Sequence, residues 1–180
     1  IAFGEFHILA LFSTLGMMFL VSAKSLLLIY LGLELLTLPL YALVALQKDS
    51  PTSSEAGIKY FIMGALASGM LLYGISLLYG VSGSISLEEV STFVKTAQGG
   101  SLTVSLFGLV FIVVGICFKL GAVPFHMWIP DIYQGAPTNV TLLIGTTPKI
   151  AAFGMVYRLM HDTLGAFAFE WSQFFMAIPI

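Results

Sequence analysis

The sequence predicts an all-α polytopic membrane protein: a five-helix transmembrane bundle with one discontinuous helix. Three observations predict it. Hydrophobic residues make up 58% of the 180 residues and charged residues 9%, against roughly 25% charged in soluble domains, so too little polar surface exists to face water. Five stretches reach the ~20 apolar residues that a spanning helix needs at ~1.5 Å rise each. One stretch, residues 115–137 (GICFKLGAVPFHMWIPDIYQGAP), ends an apolar run with a lysine, a proline and a cluster of polar residues.

In chain order, the first span covers about residues 6–23 and the second about 25–46, interrupted only by Glu34. The third covers about 58–79, and the fourth about 102–135, broken near 119–126. The fifth covers about 138–160 and carries Lys149 and Arg158. Together residues 1–162 read as one unit. Residues 163–180 read as an interfacial segment or the start of a next helix, with Trp171 beside Glu170 suiting an interface. The chain begins with Ile1 and stops in an apolar run, which suggests a piece from the interior of a longer membrane protein.

The connections carry their own signals. Ala23-Lys24-Ser25 is a minimal turn, and residues 47–57 (QKDSPTSSEAG) form a polar loop. Asp49-Ser50-Pro51 breaks the chain there, and Ser53 or Ser54 is expected to cap the third helix. Ser86-Leu87-Glu88-Glu89 resembles a capping box for a short surface helix. Gly64 with Ser68, and Ala65 with Gly69, are small-xxx-small pairs that let helices approach closely.

Composition excludes several functions. A net charge of −2 with no Lys/Arg cluster argues against a nucleic-acid surface. A lone Cys117 in an apolar run permits no internal disulfide and reads as a small buried hydrophobe. His7, His126 and His161 form no pair at matching depth for a haem. No glycine-rich phosphate loop and no Cys/His metal spacing is present. The chain is therefore read as having no cofactor, no metal and no redox centre of its own.

What remains are charges inside apolar spans. Glu34 lies near the middle of its span, with Pro39 at i+5. A proline lacks the N–H that would bond the carbonyl one turn back, so Pro39 frees that of Leu35. Lys119 and Pro124 repeat the spacing, and Pro124 frees the carbonyl of Leu120. Lys149 directly follows Pro148, which frees that of Ile144. Intramembrane ionisable residues are costly and mark functional sites by default. Burial disfavours a charged lysine and a nearby carboxylate favours it. Glu34 near Lys119 would thus control whether Lys119 keeps its proton or releases it toward Lys149. The bland alternative is a static salt bridge that fixes packing. Lys59, one turn inside its helix, could join the relay or snorkel to the interface. His126 could relay protons at the mouth of the broken helix or act as an interfacial hydrogen-bonding residue. Asp131, Tyr133 and Gln134 are expected to hold the re-entrant segment. Trp128 reads as an interface anchor, and Lys24, Lys48, Lys95, Arg158, His161 and Asp162 as solvated charges.

Four segments carry a resemblance to a known family: YLGLELLTLPLYALVAL (30–46), EAGIKYFIMGALASGMLLYG (55–74), residues 115–137, and TTPKIAAFGMVYRL (146–159). They resemble the antiporter-like membrane subunits of proton-pumping NADH–quinone oxidoreductase, respiratory complex I. The likeness covers nearly the whole chain, and FKLGAVPFHMWIPDIYQGAP is its most specific part. The resemblance implies two inverted five-helix repeats, of which this chain matches the first, with a second lying beyond residue 180. It implies that Glu34 is the family's buried glutamate, Lys119 its partner lysine and Lys149 the lysine connecting to the second repeat. It also implies that residues 47–57 face the cytoplasm or matrix. The location implied is a bacterial inner membrane or the mitochondrial inner membrane. The implied partners are the bilayer, other membrane subunits and the second repeat, while NADH, FMN, iron–sulfur clusters and quinone are expected on other subunits. A cation/proton antiporter, a membrane hydrogenase subunit of the same fold, and a purely structural membrane subunit are the competing readings.

Overall fold

Apolar runs broken by short polar turns fold into antiparallel helices, and the first two show how closely. In the computed structural model, which describes residues 3–177, α1 (Phe3–Ser22) and α2 (Leu26–Val44) form a hairpin. A Cβ on Gly16 would stand 2.3 Å from the Leu36 backbone nitrogen, and one on Gly32 2.8 Å from that of Leu20. Only small residues allow this backbone contact, the main route to tight helix packing in lipid. The outward face of α1 exposes Ile8, Leu11, Phe12, Leu15, Met18 and Phe19, as a lipid-facing surface should.

The turn between them is tied down. Ser25 Oγ accepts the Leu28 N–H at 3.2 Å, capping α2. Ser25 also forms an antiparallel bridge with Ser86, through Leu26 N–H to Ile85 O at 2.8 Å and Leu87 N–H to Lys24 O at 3.2 Å. That pairing joins the turn to the connection between α3 (Pro51–Ser82) and α4 (Leu87–Thr96). It uses Ser86 through its backbone. The Ser86 side chain makes no cap bond, contrary to the capping-box reading.

α3 starts well before its apolar run. Ser50, not Ser53 or Ser54, is its N-cap: Ser50 Oγ accepts the Ser53 N–H at 3.3 Å, and Pro51 opens the helix. Ser53 is buried instead and donates to Val44 O at 2.6 Å, satisfying the C-terminal end of α2. Gly64 and Ser68 face the interior, while nothing lies within 4 Å of a Cβ on Gly69. Of the two small-residue pairs, only the first packs. α3 lies against α5 (Gly99–Leu120), with Gly74 meeting Gly108.

α5 and α6 (Trp128–Gly135) are the two halves of the discontinuous helix. The fifth span, Thr138–Thr163, also changes course: α7 (Thr138–Gly145) ends at Thr146, and α8 (Thr147–Val156) begins with Pro148 in its first turn. The proline cannot continue the ladder of α7. A π-helical turn (Tyr157–Thr163) follows, then a short 3₁₀ turn and α9 (Ala168–Ala177). Trp171 Nε1 donates to Leu164 O at 3.3 Å. The last three residues of the segment 163–180 lie outside those described. Gly4–Ser22, Leu26–Val44, Pro51–Ser82, Gly99–Leu120 and Thr138–Thr163 are long and apolar enough to cross a membrane. The protein is an all-α polytopic membrane bundle.

Candidate functional site

The break in the fourth span is built by a specific turn. Gly121 adopts φ 77°, the left-handed conformation that glycine accepts without a Cβ clash. Ala122 N–H then reaches Cys117 O at 2.9 Å and Gly121 N–H reaches Phe118 O at 3.1 Å, the paired bonds of a Schellman motif. The chain turns through residues 122–127 and α6 begins at Trp128. The Val123–Pro124 peptide is cis.

Trp128 is not an interface anchor. It is 2% exposed, stacks on Tyr60 of α3 with ring centroids 5.0 Å apart, and lies 5.6 Å from the Phe118 ring. Its indole N–H donates to Phe118 O at 3.0 Å. The re-entrant half of the helix folds back over the end of α5, and Trp128 is the wedge that holds it there.

Two lysines meet at this break. Lys119 Nζ donates to the Tyr41 hydroxyl at 3.3 Å and lies 5.8 Å from the Tyr41 ring centroid. Lys149 Nζ donates to Lys119 O at 3.0 Å and to Leu120 O at 2.8 Å, and stands 5.0 Å over the Trp128 ring. The Leu120 carbonyl is open because α5 ends at Gly121, ahead of Pro124, and Lys149 takes it up. Both lysines line one small cavity of about 20 Å³, with Thr37, Tyr60, Trp128 and Pro148 among its walls. That is room for about one water molecule.

Glu34 stands on α2, two turns before Tyr41. No ion pair joins Glu34 and Lys119 among the described residues. Glu34 Oε1 is buried without a hydrogen-bond partner among those residues. Such an atom is costly to leave without a donor or a proton.

The remaining candidates lie elsewhere. Lys59 pairs with Glu55 at 2.7 Å and Asp131 at 3.2 Å, with its side chain 41% exposed. The three line an open polar cleft of about 310 Å³ with Gln134 and Gly135, so Asp131 fastens α6 to α3. His126 is exposed in the turn between α5 and α6. Arg158 is not simply solvated: it donates to Ala23 O, joining the fifth span to the first turn. Lys24 and Lys95 line an open polar cleft with it. Sequence reasoning passed over Tyr41. The signal was there, since Tyr41 follows Glu34 at i+7 and so shares its helix face.

A helical membrane bundle with a spanning helix interrupted beside a buried charge is the architecture of transporter-type membrane subunits. The chain belongs to the family described as NADH:quinone oxidoreductase/Mrp antiporter transmembrane subunits, whose model matches residues 23–180. It is 55% identical over 168 residues to NADH-quinone oxidoreductase subunit N of Thioalkalivibrio sulfidiphilus (strain HL-EbGR7), covering 93% of this chain and 35% of that one. It is similar to a chain of respiratory complex I from Thermus thermophilus with bound aureothin, at 42% identity and TM-score 0.74, covering 86% of this chain and 34% of the other. It also resembles a chain of the archaeal membrane-bound sulfane sulfur reductase, at 25% identity and TM-score 0.78, covering 90% of this chain and 33% of that one. The chain spans about a third of the length of the curated relatives it matches.

Proposed function

We propose that this chain carries protons across an energy-transducing membrane as part of a subunit of NADH–quinone oxidoreductase, through a buried relay of Glu34, Lys119 and Lys149. The observation that carries the reading is the cavity shared by the two lysines, sized for one water and set at the break of the discontinuous helix. The relatives named above support the choice of enzyme. The implied location is the bacterial inner membrane, and the implied partners are the other membrane subunits and the remainder of its own chain. Electron transfer belongs to other subunits.

In this reading Glu34 sets the charge on Lys119. While Glu34 is ionised, it favours the protonated lysine. When Glu34 takes a proton or moves away, Lys119 keeps, among the described residues, the Tyr41 hydroxyl and the Tyr41 and Phe118 ring faces near its ammonium. Lys119 then releases its proton across the cavity to Lys149 once Lys149 has given up its own proton, because only the neutral amine has a lone pair to accept one. Lys149 would pass it to the second repeat. Lys59, Glu55 and Asp131 form a charged cluster where α6 meets α3, and His126 stands exposed in the turn between α5 and α6; in this reading both sites are outside the relay.

The test uses the full-length subunit in its assembled complex, reconstituted in vesicles. Glu34→Gln and Lys119→Ala are each expected to abolish most proton pumping while the complex still assembles. Intact pumping in assembled complexes of both variants would leave these residues with a structural role alone.

A further inference from the structure

We propose that Lys149 has a second role: it is a positioning residue that caps α5 and so fixes where Lys119 stands. An α-helix ends with four carbonyls that have no intrahelical partner. In α5 these belong to Cys117, Phe118, Lys119 and Leu120. The turn at Gly121 satisfies the first two, from Ala122 N–H and Gly121 N–H, and the Trp128 indole adds a second donor to Phe118 O. The other two, Lys119 O and Leu120 O, receive the Lys149 ammonium at 3.0 and 2.8 Å. Every carbonyl at this helix end has a donor, and the last two share one that comes from a different span.

Three physical reasons make this more than incidental contact. No bulk water reaches mid-membrane backbone, so an open carbonyl there has few other partners. A cation at a helix C-terminus meets the negative end of the helix dipole. An ammonium carries three donors, so two can hold carbonyls while one remains for the cavity that Lys149 shares with Lys119. Pro148 beside it starts α8, which sets the Lys149 side chain at the level of the α5 end. The relay proposed above treats Lys149 as a proton acceptor. The cap does not depend on that role: the ammonium and the neutral amine each have an N–H for both carbonyls, and only the neutral form can take up a proton.

The experiment reads backbone hydrogen exchange at Gly121 and Ala122 in the full-length subunit within the assembled complex, alongside proton pumping. Lys149→Met is expected to speed exchange by about tenfold or more, the factor that about 1.4 kcal/mol of local opening gives. Lys149→Arg keeps cationic donors and is expected to stay near the parent. Lys119→Met removes the other cavity lysine and is also expected to leave exchange near the parent. Parent-like exchange in Lys149→Met overturns the cap. If that variant does not assemble, Lys149→Gln, neutral and too short to reach both carbonyls, is read in the same way. The two roles separate cleanly. Fast exchange in Lys149→Met with parental pumping in Lys149→Arg supports the cap and sinks the proton role. Lost pumping in both variants with unchanged exchange sinks the cap and leaves the proton role standing.

Discussion

The Lys119 ammonium donates to the Tyr41 hydroxyl at 3.3 Å, and Tyr41 sits two helical turns past Glu34 on α2. The hydroxyl is thus the neutral neighbour of a buried cation whose acidic neighbour keeps its distance. A hydrogen bond of this length is at the long end of the useful range, so it holds the lysine loosely. Tyr41→Phe removes the hydroxyl and leaves the edge-on packing of the ring against Tyr60 and Phe61 in place. Hydrogen bonds to charged groups contribute about 1.5–3 kcal/mol, and this one should lie near the lower figure. The variant is expected to melt at a lower temperature and to pump more slowly, without the loss expected of Lys119→Ala. A protein that melts and pumps like the parent would show the bond to be idle.

Gly64 controls the same contact from α3. A Cβ there would clash with Tyr41 Oη, so Gly64→Ala must displace the hydroxyl that Lys119 bonds. Overpacking of this kind costs typically about 1–3 kcal/mol. The expected result is a lower melting temperature in Gly64→Ala that the double variant Gly64→Ala/Tyr41→Phe restores only in part, because the nearest clashing atom is gone while the ring Cζ, 2.6 Å from that Cβ, remains. Simple additivity of the two losses would show that the contact is not where the strain falls.

Much of the bundle was legible because lipid imposes one rule: a span needs a long apolar run. That rule found five spans, and the pairing of Lys119 with Pro124 located the break. It failed where a polar residue has a partner far along the chain. Trp128 looks like an interface anchor by type, and only Tyr60 on α3 and Phe118 on α5 make it a buried wedge. Lys149 is visible as an intramembrane charge, but its acceptors lie on α5, 29 and 30 residues earlier. Local signals failed differently. Ser53 sits where a cap is plausible, yet Ser50 precedes Pro51 and takes the role, which frees Ser53 to bond the end of α2.

Trp128 separates packing from hydrogen bonding at the break. Trp128→Phe keeps an aromatic ring against Tyr60 but removes the donor to Phe118 O. Phe118 O retains the Gly121 N–H, so no carbonyl is orphaned and the cost is expected to be about 1 kcal/mol. Trp128→Ala also empties a fully buried site, and its cost is expected to be about 3–5 kcal/mol. Thermal unfolding of the two purified variants checks the ranking. If Phe proves as damaging as Ala, the indole N–H matters more to this turn than the ring does.

Gly121 is where the helix is made to stop. Its φ of 77° is the left-handed region, which costs an ordinary L-residue roughly 1–2 kcal/mol. Space adds to the conflict, since a Cβ would meet Ile129 Cδ1 at 2.3 Å, the far end of a flexible side chain. Gly121→Ala is therefore expected to destabilise the protein by somewhat more than the backbone cost alone. Gly121→Ala/Ile129→Val should recover part of that difference by withdrawing the clashing methyl, and the backbone part should remain. Full recovery in the double variant would mean that the turn does not depend on the left-handed conformation. No recovery would mean that Ile129 already has room to move. Because Gly121 donates to the carbonyls that close α5, the single variant should also speed exchange at Ala122, and it should do so with Lys149 untouched.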